Sequence, residues 1–214
     1  MFCGVDEAGR GPAMGPLVVG VVYAESDGFL KEIGVKDSKK LTPKARERMY
    51  DQIVEAVPHW CTVILSAEAI DEQRKTISLN EIELNMFAEG CTKWETEVIY
   101  ADCPDINEES FSNRLSTKVG EDVRIIAKHK ADDTYPIVSA ASIVAKVTRD
   151  RMMQEIQDEF GVNVGSGYPS DHYTMDFIRD WIQANGKAPP HVRTSWEPVR
   201  EMLSQKKMTR LDDW

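Results

Sequence analysis

Cysteine is scarce and unpatterned in this chain. Cys3, Cys61, Cys91 and Cys103 form no CxxC pair and have no histidine partners at zinc spacing. Neither a disulfide framework nor a structural zinc site is expected, and free thiols in a reducing compartment fit better. Long apolar runs are missing too. Nothing approaches the roughly 20 residues of a membrane span, and no basic region followed by an apolar stretch opens the chain. A soluble, cytoplasmic protein without a signal peptide is expected. A basic excess is also absent: 26 Lys and Arg stand against 36 Asp and Glu, a formal net charge of −10. That balance counts against a protein that coats nucleic acid nonspecifically. It leaves room for a nucleic-acid enzyme, which needs only a local basic rim and acids to hold metal. There is no internal repeat, low-complexity tract or clear linker. At about 100–200 residues per domain, 214 residues make one large domain, or a core with a helical appendage.

What is present reads as strands first, then strands alternating with helices. Phe2–Val5 and Leu17–Tyr23 are valine-rich runs separated by the Gly/Pro segment from Gly9 to Pro16, which predicts strand, turn and strand. Val18, Val19, Val21 and Val22 nearly fill the second run, as in a strand covered on both faces. Thr42 caps a helix with Pro43 at its first position. Trp60–Leu65 predicts a third strand. Ser78 and Glu81 have capping-box spacing for a helix running to about Glu95. Val98–Ala101 and Val123–Ala127 complete five strands. Further helices are expected over 136–160, from Ser170 to Gly186, and from Trp196 to Lys207. A mixed sheet flanked by helices is the natural architecture.

Acids sit at three predicted strand ends: Asp6-Glu7, Asp102, and Asp132 with Asp133 beside it. Ligands gather where the strands of open α/β sheets end, so these acids can converge from distant parts of the chain. Carboxylates brought close repel and raise one another's pKa unless cations lie between them. Hard oxygen donors suit Mg²⁺ or Mn²⁺, and two such ions about 4 Å apart serve phosphodiester displacement. Strand-end acids are also common as solubility charges and helix caps, so spacing alone leaves both readings open.

Separate motifs narrow the choice. Asp6-Glu7-Ala8-Gly9-Arg10-Gly11, Asp37-Ser38-Lys39-Lys40-Leu41, Asp102, His129-Lys130-Ala131-Asp132, and the block from Tyr135-Pro136 through Ser139 and Ser142 to Ala145-Lys146 occur in that order. Together they resemble type 2 ribonuclease H (ribonuclease HII), most nearly its archaeal single-chain form. The resemblance implies an α/β, RNase H-like mixed five-stranded sheet flanked by helices over 1–160, with a helical C-terminal part over 161–214. It implies cleavage of the RNA strand of RNA–DNA hybrids and nicking 5′ of single ribonucleotides in duplex DNA. Asp6, Glu7, Asp102 and Asp132 match the family's metal-binding carboxylates, for Mg²⁺ or Mn²⁺. Asp105 is the rival to Asp102, and strand position favours Asp102.

By the same resemblance, Gly9, Arg10 and Gly11 contact the ribose 2′-hydroxyl and neighbouring phosphates, which is how a protein separates RNA from DNA at one position. Tyr168 stacks near the RNA–DNA junction. Lys39, Lys40, Arg46 and Lys146 contact phosphates. Independently, Ser139, Ser142, Lys146 and Arg149 fall along one helical face, a stripe suited to a phosphate backbone, although Arg149 reads better as solvent-facing. His129, His172 and His191 read as structural hydrogen-bonders, and Trp196 as packing for the C-terminal helix. Met208–Trp214 resembles a truncated sliding-clamp-binding tail, with Met208 where that motif has Gln and no aromatic after Trp214. A monomer is expected. Two other readings compete: another RNase H-like nuclease or resolvase, and a non-catalytic nucleic-acid-binding protein.

Overall fold

In the computed structural model, residues 1–35 and 41–212 are described, with side chains as far as Lys206. Lys39 and Lys40 lie outside the described residues, as do the side chains of the tail. Among the described residues the strands are β1 (Phe2–Ala8), β2 (Leu17–Ala24), β3 (His59–Leu65), β4 (Val98–Asp102) and β5 (Arg124–Lys128), in sheet order β3-β2-β1-β4-β5. β1 pairs antiparallel with β2, while β1/β4 and β4/β5 are parallel. The mixed five-stranded sheet is the expected one. β2 is buried at every position, as its run of valines requires.

The helices are α1 (Gly28–Glu32), α2 (Pro43–Ala56), α3 (Ala67–Gln73), α4 (Leu79–Cys91), α5 (Glu108–Val119), α6 (Ala131–Thr134), α7 (Pro136–Phe160), α8 (His172–Asn185) and α9 (Glu197–Asp212). The expected caps form. Thr42 Oγ accepts the Ala45 amide at 3.3 Å with Pro43 at the first position, and Ser78 Oγ accepts the Glu81 amide at 3.2 Å. Four helices were not expected: the short α1 and α6, and the longer α3 and α5. α3 is capped by Ser66, whose Oγ accepts from Ala69, and α5 by Asn107, whose Oδ1 accepts from Ser110 at 2.8 Å. α4 stops at Cys91, short of Glu95, and α8 is capped by Asp171 rather than Ser170. β1 runs on to Ala8, because its ladder with β2 continues through Asp6↔Gly20 and Glu7↔Val19 to Ala8↔Val18.

The described chain forms two compact units. The first comprises Met1–Ala8, Val18–Ile64 and Ser78–Thr148; the second comprises Gly9–Leu17, Leu65–Ile77 and Arg149–Trp214. This division differs from a single border at 160. The second unit takes in the glycine loop and α3, whose backbone and side chains hydrogen-bond to the segment 191–196. Its core is Met14, Met153, Val164, Ile178, Ile182 and Val199 with their neighbours. In the first unit, α7 packs on the sheet through Ile137, Val138, Ala141 and Val144, beside Val22, Leu30 and Ile53. Glycine permits that approach. A methyl at Gly20 would lie 2.3 Å from the Ala141 carbonyl oxygen, and one at Gly4 would lie 2.4 Å from that of Ile137.

Candidate active site

Asp6 lies inside β1 and is 5 % exposed, while Glu7, pointing the opposite way as strand alternation demands, is half-buried. One step beyond the parallel pair Val5↔Ala101 come Asp6 and Asp102, so two adjacent strands bring these acids into neighbouring positions. Burial, then the charges of Glu7 and Asp102, hold the Asp6 carboxyl well above the usual carboxylate range. Opposing this, the Ser142 hydroxyl and the Lys146 charge favour its ionised form. Lys146 Nζ in turn donates to Ser142 Oγ at 2.7 Å. This lysine–serine pair on α7 therefore acts on the Asp6 carboxyl of β1. Gly20 is the cross-strand partner of Asp6, so the glycine that seats α7 stands directly opposite the acid that α7 contacts.

Asp102 ends β4, and its Oδ1 accepts the Ala131 amide at 2.6 Å. Lys130, just before, takes a left-handed backbone with φ 56°. This bond fixes the start of α6, whose first turn carries the buried Asp132. Asp105 is placed differently. Its Oδ2 pairs with Arg114 at 3.0 Å and its Oδ1 accepts the Ile106 amide, as befits a turn residue. His129 has its backbone amide on Glu108 and its ring Nε2 2.7 Å from the Asp105 carbonyl, the structural role expected of it.

The first unit thus brings Asp6, Glu7 and Asp102 within mutual electrostatic reach and ties Asp132 to Asp102 through backbone. Among the described residues, no three Asp, Glu, His or Cys side chains already form a closed group able to hold a metal ion. The donor chemistry still fits a divalent cation: a carboxylate whose pKa is forced up by burial and by the charge of two others is relieved by a positive ion. Arg46 is half-buried on α2.

In the second unit, Gly9, Arg10 and Gly11 form a turn that begins with Gly9 at φ +91°. A methyl on Gly9 would meet the Pro16 carbonyl oxygen at 2.5 Å and Arg149 Nε at 2.6 Å, so this position demands glycine on both counts. Tyr168 is 41 % exposed, and its ring comes within 3.7 Å of where a Gly11 Cβ would stand. Arg149 departs from expectation: it is buried, not solvent-facing. Its guanidinium donates to the carbonyls of Met14 (3.3 Å) and Ser166 (3.1 Å) and lies 5.4 Å from the centroid of the Tyr168 ring. Ser139 is also buried and caps the Val35 carbonyl, so the predicted polar stripe is largely internal.

Sequence reasoning missed Arg193. This fully buried side chain donates from Nη2 to Gly9 O (2.6 Å) and Gly15 O (3.0 Å), from Nη1 to Arg10 O (3.0 Å) and from Nε to Gly15 O (3.1 Å). Trp196 packs against the core of this unit as expected, and in addition donates Nε1–H to Gly11 O at 3.1 Å. The only signal was the Arg193-Thr194-Ser195-Trp196 run itself, which gives no hint of its partners.

The strand order, with helices flanking a mixed sheet and acids on neighbouring parallel strands, defines an RNase H-like fold. A family model for ribonuclease HII matches residues 3–199. The ribonuclease HII of Thermococcus kodakarensis is 41% identical over 208 residues, covering 95% of this chain and 90% of that protein. The crystal structure of ribonuclease H2 from Pyrococcus horikoshii OT3 matches with a TM-score of 0.90 at 38% identity, over 96% of this chain and 98% of the other. A structure of the PCNA:RNase HII complex from Archaeoglobus fulgidus matches with a TM-score of 0.88 at 39% identity, over 94% and 96%. The chain belongs to the ribonuclease HII family and is a ribonuclease H, an endonuclease.

Proposed function

We propose that this endonuclease hydrolyses the RNA strand of RNA–DNA hybrids and nicks on the 5′ side of single ribonucleotides in duplex DNA, leaving 3′-hydroxyl and 5′-phosphate ends. The observation that carries the reading is the buried Asp6, crowded by Glu7 and Asp102, with Ser142 and Lys146 favouring its ionised form. Asp6, Glu7, Asp102 and Asp132 would hold Mg²⁺ or Mn²⁺, two ions during turnover. When bound, such ions supply Lewis-acid charge and an activated water at neutral pH. The chain's own residues do the rest. Ser142 orients the Asp6 carboxylate, and Lys146 offsets the local negative charge and offers a cation to the scissile phosphate. Asp102 anchors the turn that carries Asp132. Arg46, Lys39 and Lys40 contact flanking phosphates.

Gly9, Arg10 and Gly11 read the ribose through the 2′-hydroxyl, and Tyr168 stacks near the junction. Their support is the exposed tyrosine lying beside a turn whose first position only glycine can fill. Met208–Trp214 is assigned a weak sliding-clamp contact, a reading that draws on the PCNA complex of the Archaeoglobus fulgidus protein. Among the described residues no helix is long and apolar enough to cross a membrane.

The test is a duplex with one embedded ribonucleotide incubated with Mg²⁺ or Mn²⁺, beside an all-DNA duplex and a long hybrid. A nick 5′ to the ribose is expected. Absence of that nick, or equal cutting of the all-DNA duplex, would sink the proposal and favour another RNase H-like nuclease.

A further inference from the structure

The turn at Gly9–Arg10–Gly11 is gripped from one side. Its three successive carbonyls each accept from the segment 193–196: Gly9 from Arg193 Nη2, Arg10 from Arg193 Nη1, and Gly11 from Trp196 Nε1. Arg193 also takes the Gly15 carbonyl with two nitrogens, and its own amide donates to the Ala13 carbonyl at 2.8 Å. One planar guanidinium therefore spans both ends of the loop, a task its rigid fork suits and a lysine ammonium does not.

This arrangement is more than filling. Asp71, the acid whose charge acts on Arg193, has its oxygens on Thr194 (amide and hydroxyl, both 2.6 Å) and Ser195 (amide 3.2 Å, hydroxyl 2.5 Å). The Arg193 guanidinium is left to the loop carbonyls. Burying a cation against neutral acceptors is costly: burial, helped by the nearby Arg149 charge, pushes the Arg193 pKa down to about 9. An aliphatic side chain would fill the space without that cost. What it could not do is dictate the direction of three carbonyls, those of Gly9, Arg10 and Gly15. The Trp196 ring has Arg74 on it and Arg193 on it, each guanidinium 4.7 Å from the centroid, and Arg74 Nη1 also donates to Ser195 Oγ at 3.0 Å. Helix α3, which carries Asp71 and is followed directly by Arg74, thereby buttresses the grip.

Taking the ribose-reading role of the turn as proposed above, we infer that Arg193 and Trp196 are positioning residues for ribose selection. They hold the carbonyl edge of Gly9–Arg10–Gly11, so that a nucleic-acid strand meets the turn from its other edge, already set in one conformation. Prior fixation of this kind favours the ligand that fits that geometry and penalises the ligand that does not.

The test compares two duplexes that differ at one nucleotide, a ribonucleotide in one and a 2′-fluoro-2′-deoxyribonucleotide in the other. Trp196→Phe removes one donor and keeps an aromatic ring; Arg193→Lys keeps the charge and loses the fork. For each, kcat and KM on both duplexes are measured with the thermal midpoint. The ribose preference of kcat/KM should fall about tenfold in Trp196→Phe, the usual effect of stranding one carbonyl. It should fall further in Arg193→Lys, with kcat on the ribonucleotide duplex carrying most of the loss. Equal loss on both duplexes, or a loss that simply tracks the thermal midpoint, would reduce the two residues to loop anchors. If Arg193→Lys does not fold, Trp196→Phe decides alone. A wild-type enzyme with no ribose preference would overturn the proposed function itself, whereas a wild-type preference that survives in both variants overturns only the positioning role.

Discussion

Replacing Gly20 by alanine should damage the active site without touching any acid. The added methyl would stand 2.3 Å from the Ala141 carbonyl oxygen, 2.7 Å from the Ala145 nitrogen and 3.1 Å from the Ala145 Cβ. The two shortest contacts are to backbone, so no side-chain rotation relieves them. Ordinary contact begins near 3.4 Å, and α7 must move off β2 by about 1 Å. Overpacking of this kind costs about 1–3 kcal/mol, or roughly 2–12 °C in thermal midpoint for a chain of this size. Ser142 and Lys146 travel with α7, and Asp6 faces Gly20 across the ladder, so the same shift carries both groups away from the Asp6 carboxyl whose ionised form they favour. Misplacement by 1 Å at a reacting centre costs on the order of 10²-fold. The assay is Mg²⁺-dependent cleavage of a long RNA–DNA hybrid, run well below the midpoint of the variant, with Gly28→Ala as control. At Gly28 the nearest atom to an added methyl is 4.0 Å away, so that variant should match wild type. A Gly20→Ala enzyme with wild-type midpoint and rate would show that close seating of α7 does not set the Asp6 contact.

Three further outcomes are expected. Asp6→Asn should cut cleavage by on the order of 10²–10³-fold or more. Because the folded Asp6 carboxyl sits above its usual range, ionising it costs stability as pH rises from the ordinary carboxylate value, and asparagine abolishes that cost. In metal-free protein, the variant's midpoint should therefore exceed wild type by more near pH 8 than near pH 4; a difference constant with pH refutes the burial argument. Asp102→Asn should abolish cleavage while Asp105→Asn stays near wild type, since Asp105 is engaged by Arg114; the reverse order would reassign the site. Tyr168→Ala should lose about tenfold more on a single ribonucleotide than on a long hybrid, given what base stacking contributes, and equal losses would remove it from the junction.

Much of this was legible because the relevant signals are local. Thr42-Pro43 and Ser78 cap where their hydrogen-bond chemistry says they should, the valines of β2 declare a strand buried on both faces, and the acids come in the order of a known set of motifs. The misses share a different origin. α5 has only two buried anchors, Phe111 and Leu115, among polar residues, so its periodicity is faint, although Asn107 followed by Glu108 and Glu109 is a readable helix start. Arg149 was assigned to the correct helical face, but a face says nothing of what lies against it; here that is a glycine loop and a tyrosine. Arg193 meets Gly9 across 184 positions of chain. A lone arginine among threonine and serine looks like a surface charge until the fold supplies the carbonyls around it. The extent of each compact unit was hidden for the same reason, since Gly9–Leu17 and Leu65–Ile77 join the later residues through such long-range bonds.

The bond from the Ala131 amide to Asp102 has a bearing on how any set of mutants can be interpreted. One oxygen of Asp102 is a backbone anchor, and the chain it anchors at Ala131 delivers Asp132 at the next residue. Deleting the Asp102 carboxylate therefore loosens a second acid at no cost in its chemistry, only in its address. Losses at the two positions should overlap rather than multiply: the double variant should be barely worse than Asp102→Ala alone. Ranking the four acids by single substitutions would then overstate Asp102, because its measured share includes part of what Asp132 contributes.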